Sequence, residues 1–124
     1  MPDARHTRGV IAENAARAYL RGLGWEILDT NYRTRYGEVD IIAQCEEMVC
    51  FVEVRARSRR DIVSPAESVN HTKQRKLVLT ASAWLAQTDC DAPCRFDVIE
   101  IQIVGGLARI AAHIQGAFEP ADSE

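Results

Sequence analysis

Two neighbouring apolar segments, G-E-V-D-I-I-A at residues 37–43 and V-C-F-V-E-V-R-A-R at residues 49–57, constrain this chain more than any other feature. Both are rich in β-branched residues, and turn material at Gln44 to Glu47 separates them, so they predict two adjacent strands, Glu38 to Ala43 and Met48 to Ala56. Each is apolar enough to lie at the centre of a sheet, yet each sets carboxylates among its apolar residues. Burying such a charge is costly unless it is paired or bound to metal.

A hairpin turn centred on Glu46 and Glu47 would set Asp40 opposite Glu53 and Glu38 opposite Arg55. Directly opposed side chains share one face, with Cβ atoms about 5 Å apart. Two carboxylates so placed can hold one hard cation, Mg2+ or Mn2+, because magnesium usually keeps waters beside one or two protein carboxylates. Arg55 lies two residues beyond Glu53 and therefore points to the same face, where it could stabilise charge on a phosphate. Such a set suits metal-assisted phosphodiester hydrolysis. The same residues would also serve as cross-strand ion pairs on a solvent-facing side, and the pattern alone leaves both readings open.

The rest of the chain supplies a frame for these strands. Gly9 to Leu23 is alanine-rich with apolar residues at three-to-four spacing and predicts an amphipathic helix, closed by Gly22 and Gly24. Trp25 to Arg33 reads as a strand, turned into the next by Tyr36-Gly37. Arg57 to Pro65 has no periodicity and reads as a basic loop. Ala66 to Gln87 places Leu77, Thr80, Ala81, Trp84 and Leu85 on one helical stripe, with Pro65 suited to the helix start. Arg95 to Ile103 reads as a strand with a change of face or a bulge, and Gly105-Gly106 turns it into a last strand, Ala108 to Ile114. The fold class is thus α/β: helix, three strands, helix, two strands, packed as a mixed sheet flanked by helices. A length of 124 residues, 47% of them apolar, suits a single domain over residues 1–118, followed by an acidic tail at 119–124 that carries Glu119, Asp122 and Glu124.

A formal net charge of -3 argues against a protein that coats nucleic acid over its whole surface. Basic residues nevertheless gather at Arg33, Arg35, Arg55, Arg57, Arg59, Arg60, Lys73, Arg75 and Lys76, enough for one basic face. Arg57, Arg59, Arg60 and Lys73 are therefore expected to contact nucleic-acid phosphates. The first residues hold no signal-like apolar run, and no segment approaches the ~20 apolar residues of a membrane helix, so a cytoplasmic protein without a membrane partner is expected. Cys45, Cys50, Cys90 and Cys94 would then stay reduced, their C-x4-C and C-x3-C spacings making zinc a weak alternative. His6, His71 and His113 are widely separated and receive no role, and neither a nucleophile motif nor a glycine-rich phosphate loop is present.

Taken in order, G-x3-A-E-x2-A-x2-Y-L at Gly9 to Leu20, N-Y-R-x3-G-E-V-D-I-I-A at Asn31 to Ala43, F-V-E-V-R-x-R at Phe51 to Arg57 and R-F-D-V at Arg95 to Val98 resemble the YraN family of bacterial proteins over nearly the whole chain. That family resembles the restriction-endonuclease-like, PD-(D/E)XK, superfamily near the archaeal-type Holliday junction resolvases. The resemblance implies a core of helix, three strands, helix and strand, and a metal-dependent endonuclease acting on structured or branched DNA. It also implies a role for Asp40 as the metal-binding aspartate, for Glu53 and Arg55 as the E-x-K element, and for Glu13 as the acidic residue of the first helix. Glu13 also lies four residues before Arg17, the spacing of an ordinary surface pair. Arg55 stands where that superfamily usually has lysine; arginine keeps its charge and cannot exchange a proton. That departure keeps a second expectation open, a non-catalytic module that binds nucleic acid or a partner protein. A resolvase-like role would suit a homodimer, because two strands must be cut symmetrically.

Overall fold

Alanine-rich sequence carries the first helix, α1, over Ala4–Gly22, several residues earlier than the glycine at position 9 suggests. Its end is a Schellman motif: Trp25 N–H reaches Leu20 O at 3.0 Å, Gly24 N–H reaches Arg21 O at 2.9 Å, and Gly24 takes φ 88°. Leu20 and Trp25, the two residues this motif brings together, are both buried in one core cluster. Glycine 24 rather than glycine 22 therefore supplies the left-handed residue that turns the chain into the sheet.

The computed structural model describes residues 4–57 and 70–120, with side chains from Thr7 onward. The remaining elements are β1 (Glu26–Thr34), β2 (Gly37–Cys45), β3 (Met48–Arg57), α2 (His71–Gln87), β4 (Cys94–Val104) and β5 (Leu107–Phe118). They form one five-stranded sheet in the order β1-β2-β3-β4-β5, parallel between β3 and β4 and antiparallel elsewhere. Helix α2 makes the crossover between the parallel pair, as such a connection requires. The expected order of elements and the mixed sheet are both present.

The helices cover opposite faces. Ala12, Ala16 and Leu20 of α1, spaced one turn apart, pack on Ile41, Ala43, Cys50, Val52, Ile99 and Ile101. Leu77, Ala81 and Trp84 of α2 pack on Val39, Ile42, Val49, Phe51, Phe96 and Val98. Strand β4 is covered on both faces, which explains its apolar residues at even and odd positions without a change of face. The bulges lie in β5 instead: the register slips opposite Phe96/Val98 and opposite Glu100/Ile101, with the extra residues on β5. Helix α2 begins at His71 and not at Ala66, because Asn70 is extended and its side chain accepts from Lys73 N–H as an N-cap. The expected helix start at Pro65 and residues 66–69 fall outside the described residues. Of the acidic tail, Glu119 is described, while Asp122 and Glu124 lie outside the described residues. No described helix is long and apolar enough to cross a membrane.

One polar knot ties β4, β5 and α1 together. Asp97, 1% exposed, accepts from Arg95 Nε (2.8 Å) and Arg95 Nη2 (3.0 Å), from His113 Nε2 (2.8 Å) and from Gly116 N–H (3.1 Å). With Nε2 donating to Asp97, His113 Nδ1 is left to accept from the Tyr19 hydroxyl at 2.9 Å. Gly116 sits at the β5 bulge opposite Phe96/Val98 with φ 61°, so the bulge aims its N–H at the carboxylate. Burial opposes the charge of Asp97, but the bonds from His113, Arg95 and Gly116 outweigh it and hold the carboxyl below its usual range. His113, to which the sequence assigns nothing, is thus a member of this knot.

Candidate active site

Strands β2 and β3 pair from Cys45↔Met48 to Ile41↔Val52, in the register that a turn at Glu46 and Glu47 predicts. The ladder stops there, one residue short of Asp40 and Glu53. Beyond it, Val54 N–H donates to Asp40 Oδ2 at 2.8 Å, so a side-chain carboxylate takes the place of a ladder carbonyl where the strands part. This is the feature that sets Asp40 at a fork rather than on a continuous surface.

Asp40 is half-buried, and its carboxyl is pushed up to about 8, first by burial and then by the charge of Glu53, with the Val54 N–H opposing and Glu13 and Glu38 adding. Glu53 is 6% exposed. Its Oε1 receives Lys73 Nζ at 2.7 Å, and Arg55 Nε stands 3.6 Å from the same atom. On the other side of Asp40, Asn31 of β1 takes a left-handed φ of 50° between the pairs Thr30↔Ile41 and Tyr32↔Val39. Its Nδ2 donates to Glu13 Oε1 (2.7 Å) and Glu38 Oε1 (3.1 Å). Asparagine tolerates that backbone better than most residues. The first helix is thereby linked to the strand that carries Asp40.

Gly37, Glu38, Asp40, Glu53, Lys73, Lys76 and Leu77 line a cleft of about 250 Å³. Among the expected site residues, Asp40, Glu53 and Lys73 meet in it. Glu13 opens instead into a recess of about 240 Å³ on the α1 side, with Arg8, Gly9, Ala12, Val54 and Ala56, though its charge is felt at Asp40. Its partner is Asn31, while Arg17 bonds to Asn14. Arg55 stays beside Glu53 as expected, but Glu38 does not pair with it. Glu38 turns to Arg33 across β1–β2, at 2.6 Å, because the β2–β3 ladder has already ended. Arg57 lies against buried Glu100 of β4 at 2.7 Å, a structural contact beside its expected phosphate role. Arg59 and Arg60, with the basic loop that carries them, lie outside the described residues.

Lys73, one of the expected phosphate contacts, reaches Glu53 through the phase of α2. It stands in the first turn of α2, four residues before buried Leu77, and that spacing puts it on the sheet-facing stripe. The signal was present in the spacing once the helix start at Asn70 was known.

Among the described residues no three His, Cys, Asp or Glu side chains gather as a metal-holding group. The donors that fit a divalent cation are two, Asp40 and Glu53. They are hard oxygen ligands, set close enough that the charge of Glu53 helps raise the carboxyl of Asp40, and magnesium commonly takes one or two such carboxylates and completes its shell with water and phosphate. The four cysteines are free, and buried Cys50 has its thiol pushed up to about 12 by burial.

The family model described as "Uncharacterised protein family UPF0102" matches residues 12–101, which include Glu13, Asp40, Glu53, Arg55 and Lys73. A UPF0102 protein of Myxococcus xanthus is 40% identical over 119 residues, covering 95% of this chain and 94% of its own. One from Psychromonas ingrahamii is 37% identical, covering 94% and 93%, and one from Alkaliphilus oremlandii is 41% identical, covering 89% and 96%.

Proposed function

This chain belongs to the UPF0102 family, and we propose that it is a cytoplasmic, Mg2+- or Mn2+-dependent endonuclease acting on DNA, built on a restriction-endonuclease-like fold. The observation that carries the reading is the fork of β2 and β3, where Asp40 and Glu53 face one cleft with Lys73 Nζ 2.7 Å from Glu53. The helix, three strands, helix, strand order supports a kinship with Holliday-junction-resolvase-like nucleases, and structured or branched DNA is the substrate that kinship favours.

Asp40 and Glu53 would hold the cation, which when bound supplies Lewis-acid polarisation and makes water more acidic. Lys73 and Arg55 supply positive charge beside a phosphate placed in the cleft. Their division of labour answers the departure at Arg55. A lysine can lose and regain a proton as well as carry charge, whereas arginine only carries charge. Lys73 therefore supplies from α2 the amine that β3 lacks. Glu13 acts through Asn31, holding the strand segment that carries Asp40.

One observation favours a second reading, a binding module without cleavage: the Lys73 ammonium already neutralises Glu53, so the cleft could bind phosphate without a metal. A cleavage panel of single-stranded, duplex, flap and four-way DNA with Mg2+ or Mn2+ separates the two. Cutting that disappears in Asp40→Asn supports the endonuclease. Metal-independent binding without cutting anywhere in the panel supports the module.

A further inference from the structure

Seven of the eight aromatic side chains of this chain are buried or half-buried; Tyr36 is the exposed one, at 37%. It sits on the turn between β1 and β2, next to Gly37, which lines the cleft with Asp40 and Glu53. The Arg35 guanidinium lies over its ring, 4.9 Å from the centroid, and Arg35 Nη2 donates to the Tyr36 hydroxyl at 2.8 Å. Neither residue serves the core or the carboxylate site.

The turn is firmly held. Tyr36 N–H donates to Thr34 Oγ1 at 3.1 Å, and that hydroxyl lies 3.4 Å from Oγ1 of Thr80, a fully buried residue of α2. Gly37 passes close to the same helix: a Cβ there, at its φ of 157°, would meet Lys76 Cβ at 3.5 Å and Thr80 Oγ1 at 3.6 Å. The turn that carries this aromatic and cationic pair is thus fixed through Gly37 to the wall of the cleft that Lys73 and Lys76 also line.

We propose that Arg35 and Tyr36 form a stacking platform for an unpaired nucleobase, so that the cleft takes nucleic acid with a single-stranded stretch next to the phosphate it acts on. This inference rests on the nuclease reading and names the substrate class of that site. Aromatic rings and guanidinium planes stack on any base, while cations track the backbone. A guanidinium laid on the ring repels cationic ligands and suits a π-face that carries a phosphate. Lys73 and Lys76 are placed for that phosphate, and the exposed platform for its base.

The test is binding of fluorescein-labelled DNA in EDTA, comparing a blunt duplex with the same duplex bearing a single-stranded overhang. The parent binds the overhang more tightly; Tyr36→Ala loses about tenfold on the overhang and little on the blunt duplex, and Tyr36→Phe keeps the preference. In a second measurement, Tyr36→Trp places an exposed indole in a chain whose Trp25 and Trp84 are both buried, so oligo-dT quenches its emission on stacking. Equal binding of blunt and overhanging duplex by the parent, an overhang preference retained by Tyr36→Ala, or a Tyr36→Trp emission untouched by bound oligo-dT would each overturn the proposal. Failure of the nuclease reading looks different: the overhang preference stands while no metal-dependent cutting occurs.

Discussion

Asp97 and Asp40 are carboxylates set into the same sheet, and the chain treats them in opposite ways. Asp97 is enclosed by Arg95, His113 and Gly116, which donate four hydrogen bonds to it, and its carboxyl is held low. Asp40 stands at the strand fork with one described donor, Val54 N–H, and its carboxyl is pushed up by burial first and then by the carboxylates Glu53, Glu13 and Glu38. A buried charge answered by the protein's own donors belongs to the architecture. One left facing like charges at the rim of a cleft is the kind of group that the proposed cation site needs.

The largest effect expected from this contrast is on Asp97. Asp97→Asn leaves Arg95 and His113 without their anion and should cost about 3–5 kcal/mol, the range for breaking a buried charged pair. Urea unfolding monitored by circular dichroism reads it. Asp40→Asn should leave metal-free stability unchanged or raised, since it removes repulsion with Glu53. Similar losses at both positions would dissolve the distinction.

Next in size is Lys73. Lys73→Met should lower metal-dependent cleavage by roughly 10²–10³-fold, the scale of losing one transition-state donor. Its stability should fall by less than that of Asp97→Asn, because Arg55 Nε, 3.6 Å from Glu53 Oε1, still partners the buried carboxylate. Arg55→Lys should retain cleavage if Lys73 supplies the amine. Cleavage by Lys73→Met at the parent's level would remove Lys73 from the mechanism.

The pH dependence sharpens the same comparison more gently. Asp40 in the fold keeps its proton to about 8, whereas in the unfolded chain it releases it near ~4, so metal-free stability should fall across that window and level off above it. Asp97 has the opposite sign: its contribution is present above the unfolded value and is lost as pH falls through its lowered folded value. Asp40→Asn should flatten the alkaline side of the stability profile and leave the acid side intact. A parent profile already flat between pH 4 and 8 would argue against the crowding at Asp40.

Element order, the β2–β3 register and the shared cleft of Asp40 and Glu53 were legible in the sequence because each rests on local periodicity and one short turn. Legibility ended where distant segments meet. Glu38 was expected opposite Arg55, but the hairpin ladder ends at Ile41↔Val52 and Arg33 lies nearer across β1. Lys73 reaches Glu53 only because Asn70 sets the phase of α2. His113 looked isolated because its partners, Asp97 and Tyr19, come from β4 and α1, and the β5 bulge that aims Gly116 at Asp97 has no signal beyond one glycine. Asn31 was read only as a member of the N-Y-R motif, whereas its left-handed backbone places it between Glu13 and Glu38.

The proposed activity requires that Asp40 and Glu53 hold a divalent cation, and calorimetric titration of the metal-free protein with Mn2+ tests that most directly. The parent should bind with heat that vanishes or weakens markedly in both Asp40→Asn and Glu53→Gln. Binding of Mn2+ by both variants as tightly as by the parent would contradict the account and leave these carboxylates as members of an ordinary ion-pair network.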